Sequence, residues 1–145
     1  MKTNLKQNFL ENQIGHCTRV AHAIVRPYYS KYMSSLDLKP SEFATLSLIY
    51  ENPGVAQGQL AEAIIITPQN MANLIDKLES RKLLRRENSE EDKRAYSLYL
   101  TEDGLKITQE ALDTVKNLED MAYNMLNSEE KQLLIRLLDK IITND

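Results

Sequence analysis

A mostly α-helical fold carrying one small β-hairpin is predicted by three features of this 145-residue sequence. Between Thr67 and Lys82, apolar Met71, Leu74, Ile75 and Leu78 recur at i, i+3, i+4 and i+7, the spacing of a helix with one buried face. The opposite face presents Gln69, Asn70, Asn73, Asp76 and Lys77, where a merely solvated helix more often carries Glu and Lys. Further on, Asp92-Lys93-Arg94 precedes the alternating segment Ala95–Leu100 and then Thr101-Glu102-Asp103-Gly104, which reads as a charged hairpin tip, a strand and a helix cap. A helix with an amide face followed by a charged hairpin is the order of a winged helix-turn-helix, an architecture that points to DNA.

The other elements arrange themselves around that lobe. From Leu5 to about Met33, Leu10, Ile14, Cys17, Ala21, Ile24 and Tyr28 predict a long amphipathic first helix. Pro27 removes a donor inside it, so a kink or break is expected between Ala23 and Pro27. Pro40 suits the first position of a second helix, Glu42 faces its N-terminus, and Asn52-Pro53-Gly54 stops it. Val55-Ala56 is long enough only for a bridge strand, Gln57–Ile64 makes a short third helix, and Ile65-Ile66 is the turn. Thr67 caps the fourth helix, with Pro68 at its first position.

Strands are expected at Leu83–Glu87 and Ala95–Leu100, joined by Asn88–Arg94, a connection longer than a tight hairpin and able to project as a wing. Thr101 caps a fifth helix with the stripe Leu105, Leu112, Val115, Leu118, Ala122 and Leu126. Ser128 opens a sixth, bearing Leu133, Leu134, Leu137, Leu138 and Ile141. The chain is therefore read as a single domain, 1–145, with the winged helix-turn-helix lobe at 37–104 and further helices in 1–36 and 105–145. The lobe cannot cover the apolar faces of those helices, and the simplest partner is a second subunit, so a homodimer is expected.

Composition narrows the classes. With 42% hydrophobic and 27% charged residues, four glycines and four prolines, the chain is an ordinary globular sequence rather than a disordered or low-complexity one. The longest apolar run is only Ala63–Ile66 and the N-terminus is polar, so neither a membrane span nor a signal peptide is expected and the cytoplasm is the default location. One cysteine, Cys17, cannot form an internal disulfide.

The net charge of −3 is unevenly spread. Residues 102–145 hold ten acids against five bases, whereas 1–40 hold six bases against two acids and 77–94 seven against five. No Lys or Arg occurs between Ser41 and Asp76, so base reading by the first half of the fourth helix must use neutral side chains. There is no Gly-rich phosphate loop and no nucleophile elbow, which argues against an enzyme. His16, Cys17 and His22 do not share a helical face well, so neither a metal nor a cofactor is expected.

With these residues in place, the chain resembles the multiple-antibiotic-resistance-regulator (MarR) family of bacterial transcription factors, most strongly from Leu60 to Gly104. Leu60-Ala61-Glu62, Leu74-Ile75-Asp76-Lys77-Leu78-Glu79, Arg85-Arg86, Asp92-Lys93-Arg94 and Leu98–Gly104 follow the family's order and spacing. The resemblance implies an obligate homodimer built on the first, fifth and sixth helices, two lobes on a palindromic operator in double-stranded DNA, and, in many members, control by a small-molecule effector. Three positions depart from it. Lys82 stands where the family usually has glycine after its recognition helix, so a strained or altered helix end is expected. Lys39 and Ala56 replace the usual Ser or Thr caps, each a loss of about 1 kcal/mol.

Asn and Gln suit the N6 and N7 edge of adenine, so Gln69, Asn70 and Asn73 are the candidate base readers. Thr67 would touch a phosphate or a thymine, and Lys77, Arg85, Arg86 and Lys93 phosphates, with Gln57 and Gln59 as weaker candidates at the third helix. Arg94 suits insertion into a narrow A·T-rich minor groove, and the family's Asp-x-Arg pattern assigns Asp92 the role of holding it. The function expected is that of a repressor released by a small effector, with an aromatic or phenolic acid as the candidate class. His16, Arg19, Tyr28, Tyr29, Tyr32 and Tyr50, with His22 nearby, are the candidate effector residues. Cys17 resembles the sensing cysteine of the peroxide-responsive branch only in position, since Thr18-Arg19 follow it; it reads as a small buried hydrophobe. The rival reading is a winged-helix adaptor that binds protein, for which exposed apolar anchors on the fourth helix would be required.

Overall fold

The computed structural model describes residues 5–88 and 96–143. Short 3-10 turns lie at Leu10–Asn12 and Ser34–Leu36, and the helices are α1 (Ile14–Met33), α2 (Pro40–Glu51), α3 (Gln57–Ala63), α4 (Pro68–Ser80), α5 (Glu102–Ala122) and α6 (Ser128–Thr143). The strands are β1 (Val55–Ala56), β2 (Leu84–Asn88) and β3 (Tyr96–Leu100). β3 is central in an antiparallel sheet of order β1-β3-β2, with Val55 opposite Leu98 and with Leu84, Arg86 and Asn88 opposite Leu100, Leu98 and Tyr96. No described helix is long and apolar enough to cross a membrane.

Two compact units make up the chain: Tyr32–Lys116 is one, and the segments up to Lys31 and from Asn117 onward form the other. The first of these, the winged helix-turn-helix unit, closes its own core. Leu46 and Ile49 of α2, Leu60 of α3, Met71, Ile75 and Leu78 of α4, Leu84 of β2 and Leu98 of β3 are all completely buried. Leu98 of β3 faces the core, while its neighbours Ser97 and Tyr99, on the opposite face of the strand, are half-buried.

Local chemistry sets the element ends. Thr101 Oγ1 accepts from the Gly104 N–H at 3.0 Å and donates to the Lys82 carbonyl at 2.6 Å, so one hydroxyl caps α5 and ties it to the chain entering β2. Gly104 is obligatory there, because a Cβ would overlap the Leu83 carbonyl. Gly54, at φ +88, turns the chain into β1 with its N–H on the Leu98 carbonyl at 2.8 Å. Lys39 and Ala56 supply no side-chain cap, as expected, but Glu42 Oε2 accepts from Lys39 N at 2.9 Å and Gln59 Oε1 from Ala56 N at 3.0 Å, half of a capping box each. α6 has both halves, through Asn127 and Glu130 at 2.9 and 3.0 Å.

Several expectations change. α1 begins at Ile14, not near Leu5, and runs through Pro27 without a break. Its buried residues are Val25 and Met33, with Tyr29 half-buried between them, whereas the expected stripe of Ile14, Cys17, Ala21, Ile24 and Tyr28 is exposed in the single chain. On α5 the buried line is Gly104, Thr108, Ala111, Leu118 and Ala122; Leu105 is exposed, and Leu126 lies beyond the helix. α3 ends at Ala63, one residue early, and α4 at Ser80, two early. The first strand of the hairpin begins one residue later than expected, at Leu84, and Ala95 lies outside the described residues.

Candidate nucleic-acid interface

α4 is built to present one polar face. Thr67 Oγ1 accepts from Asn70 N at 3.2 Å and Pro68 occupies the first helical position, so the helix begins where the sequence places it. With Met71, Ile75 and Leu78 turned into the core, Gln69, Asn70 and Asn73 stand exposed. Gln69 Nε2 donates to Asn73 Oδ1 at 3.1 Å, an i,i+4 pair that aligns the two amides along the helix. The bond uses one of two donors and one of two lone pairs, so each amide keeps an acceptor and a donor to offer a base edge.

Both helices of the motif close with the same device. At the end of α3, Ile65 N bonds Glu62 O at 3.2 Å and Ile66 N bonds Ala61 O at 3.0 Å; at the end of α4, Lys82 N bonds Glu79 O at 2.8 Å and Leu83 N bonds Leu78 O at 3.0 Å. These are Schellman closures, in which the residue after the cap must be left-handed. Ile65 has φ +54 and Lys82 φ +58, so both carry a Cβ where glycine is favoured. The expectation for Lys82 is met in its backbone angle, while the hydrogen bonding of that end is ordinary. Ile65, β-branched and 82% exposed in the turn of the motif, was not foreseen.

Four cations on or beside α4, Lys77, Arg81, Arg85 and Arg86, have internal partners. Lys77 Nζ lies 2.6 Å from Glu42 Oε1, a carboxylate buried under α2. Arg81 Nη1 lies 3.5 Å from Glu42 Oε2 and donates to the Asp37 carbonyl at 2.8 Å. Burial alone would raise the Glu42 pKa, but the Lys77 hydrogen bond, the Lys39 N–H and the charges of Lys77 and Arg81 hold it below the ordinary glutamate value. Arg86 pairs with Asp76 and, at 3.1 Å, with Glu79, which fastens β2 to α4. Arg85 pairs with Glu87 and stacks over Tyr99, 4.9 Å from the ring centre.

Lys77, Arg85 and Arg86, expected as phosphate contacts, thus each serve an intramolecular ion pair. Asp92, Lys93 and Arg94 lie outside the described residues. Gln57 opens α3, and the Gln59 carbonyl is occupied by Ala56 N. Sequence reasoning missed Arg81 and the ion pairs of Glu42, because the partners are far apart along the chain.

The expected effector residues divide between the units: His16, Arg19, Tyr28 and Tyr29 fall in one, Tyr32 and Tyr50 in the other. Arg19 Nη2 and His16 Nδ1 are 3.4 Å apart on α1. Tyr29 donates to Glu119 Oε1 at 2.6 Å, and burial, reinforced by that carboxylate, raises its pKa. Cys17 is exposed rather than buried, its Sγ 3.4 Å from the Glu11 carbonyl. No metal-ligand cluster occurs among the described residues. A largely apolar cleft of about 240 Å³ lies between α5 and α6, lined by Glu119, Tyr123, Leu126, Leu134, Ile135 and Leu138 among others.

An amide-faced second helix in a helix-turn-helix, buttressed by a three-stranded sheet, defines a winged helix-turn-helix protein of the DNA-binding class. The MarR family profile matches residues 36–95. The transcriptional regulator HosA of Escherichia coli O157:H7 is 31% identical over 106 residues, 73% of this chain and 78% of that one. Among solved structures, the repressor CouR bound to a 23-mer DNA duplex superposes with a TM-score of 0.89 at 28% identity, covering 96% of this chain and 99% of that one. A Mycobacterium tuberculosis MarR family protein in complex with salicylic acid gives 0.70 at 26% identity, covering 89% and 96%. The chain belongs to the MarR family and is a DNA-binding transcriptional regulator.

Proposed function

We propose that this regulator is a cytoplasmic homodimeric repressor, whose α4 reads an A·T-rich inverted repeat in the major groove and whose wings reach the flanking minor grooves. The observation that carries this reading is the outward face of α4, where Gln69, Asn70 and Asn73 are exposed, without an exposed large apolar side chain among them. Amides discriminate adenine by paired hydrogen bonds, and the Thr67 hydroxyl at the N-terminus of α4 suits a phosphate. Dimerisation through α1, α5 and α6 is supported by the apolar side chains those helices leave exposed, Ile14 and Ile24 on one and Leu133, Leu137 and Ile141 on another. The likeness to CouR on DNA supports the docking mode, and the likeness to the salicylic acid complex supports an aromatic acid as effector, with Arg19 or His16 as the partner of its carboxylate.

Fluorescence titration of the purified protein against its own upstream region, at two salt concentrations and with a panel of aromatic acids including salicylate, tests the reading. Selective, salt-sensitive binding to paired half-sites about 10 bp apart, released by one acid, is expected. Asn73→Ala should alter preference at one base pair per half-site by about 1–3 kcal/mol. Weak binding of equal strength to every fragment would favour the adaptor instead, and the exposed Ile65 beside α4 is the side chain such an adaptor would use.

A further inference from the structure

The cations of α4 and its cap converge on a single carboxylate. Lys77 is the only basic residue within the helix and Arg81 is its C-cap. Glu42, third residue of α2 and 1% exposed, receives Lys77 Nζ at 2.6 Å on one oxygen and has Arg81 Nη1 at 3.5 Å from the other, which also accepts the Lys39 N–H at 2.9 Å. Lys77 stands four residues beyond Asn73 and so follows the same side of the helix as the reading amides. Its side chain is still 47% exposed, so the pairing, and not burial, is what holds the ammonium.

On β2, Arg86 is likewise held by Asp76 and Glu79, and Arg85 by Glu87. The single cation within α4, Lys77, is thus paired with a carboxylate rather than left free beside the amides. A phosphate contact strengthens binding to any sequence, because the backbone is the same everywhere, whereas an amide on a base edge strengthens binding to one sequence.

We infer that Glu42 is a positioning residue for specificity: by holding Lys77 and Arg81 it keeps α4 out of sequence-independent phosphate contacts and leaves recognition to Gln69, Asn70 and Asn73. This inference rests on the DNA-reading function proposed above. It makes Lys77 a structural cation rather than a phosphate contact, and it assigns a buried acid of α2, which touches no DNA, a role in discrimination.

The test uses the full-length protein, one duplex enriched from a random pool by the wild type and one unrelated duplex, titrated across about 50 to 200 mM salt. Lys77→Met should leave the salt dependence of both complexes unchanged, because no phosphate contact is lost. Glu42→Gln should tighten binding to the unrelated duplex several-fold and steepen its log–log salt slope by about 0.9 per freed cation in each subunit. Glu42→Gln combined with Lys77→Met should lose the part of that gain due to Lys77.

A slope shallower by about 0.9 per subunit in Lys77→Met would show that the ammonium already grips a phosphate and would overturn the inference. So would a folded Glu42→Gln protein with the wild-type slope. Circular dichroism checks folding, and should Glu42→Gln fail to fold, Lys77→Met decides alone. Failure of the wild type to enrich any sequence would instead sink the DNA-reading function, before any variant is made.

Discussion

α4 and α6 are both amphipathic, yet they end differently. The apolar line of α4, Met71, Ile75 and Leu78, is completely buried, whereas Leu133, Leu134, Ile135, Leu137, Leu138, Ile141 and Ile142 on α6 remain between 38% and 72% exposed. The cause lies in what surrounds each helix. α4 belongs to a unit in which α2, α3 and the sheet supply facing apolar surfaces, while among the described residues of the other unit only Val25, Leu118 and Ala122 are buried apolar side chains. Helical periodicity declares that a stripe will be buried, but it is silent about whether the same chain does the burying.

The contrast can be broken most forcefully on α6. Leu137→Asp would place two unpaired charges in each dimer, an expected loss of about 3–5 kcal/mol of association, or at least a hundredfold in dissociation constant by analytical ultracentrifugation. A variant that remained as dimeric as the wild type would mean that this face is not the interface. Ile75→Ala should do the reverse, lowering urea stability by about 2–5 kcal/mol while the dimer mass persists at neutral pH.

Glu42 sharpens the comparison further, since it ties α4 into its unit by charge as well as by packing. Its carboxyl titrates below the ordinary value of 4.5, so the stabilisation is fully present above that pH and is lost as pH falls through the lower folded value. Chemical denaturation of the wild type should therefore weaken on acidification below about pH 4.5, and Glu42→Gln, less stable at neutrality, should weaken less over the same interval. The smallest effect is expected at the end of α4. Lys82→Gly relieves a left-handed Cβ but frees the unfolded chain, for a net gain of up to about 1 kcal/mol in melting experiments; a loss would mean that the lysine side chain contributes more than its backbone strain.

Much of the fold was legible in the sequence because its punctuation is chemical. Thr67-Pro68, Pro40, Asn52-Pro53-Gly54 and Thr101 each mark an element end by hydrogen bonding or by a fixed φ, and each does so in the structure. The start of α1 was not legible, since Leu5 and Leu10 continue an apolar spacing that the backbone does not follow. Nor was the inward face of α1, because apolar residues on both sides of it satisfy helical spacing and only Val25 and Met33 are buried. In the candidate interface the amides could be found from their side of α4, which local spacing fixes. The partners of Lys77 and Arg86 could not, since ion pairs between α2 and α4 or between α4 and β2 depend on how distant segments meet. Ile65 had a legible signal that went unread: the residue after a short helix, entering a tight turn, is where a left-handed angle is required.

Gly104 has a consequence for inheritance. What stands against its Cα is the backbone of Leu83, which cannot rotate aside as a side chain can. Any codon change that replaces this glycine adds a carbon at the obstructed point, whatever the chemistry beyond it. A saturation scan would therefore leave position 104 an empty column, and a genetic selection for relieved regulation would collect lesions there, although the residue carries no group able to read a base.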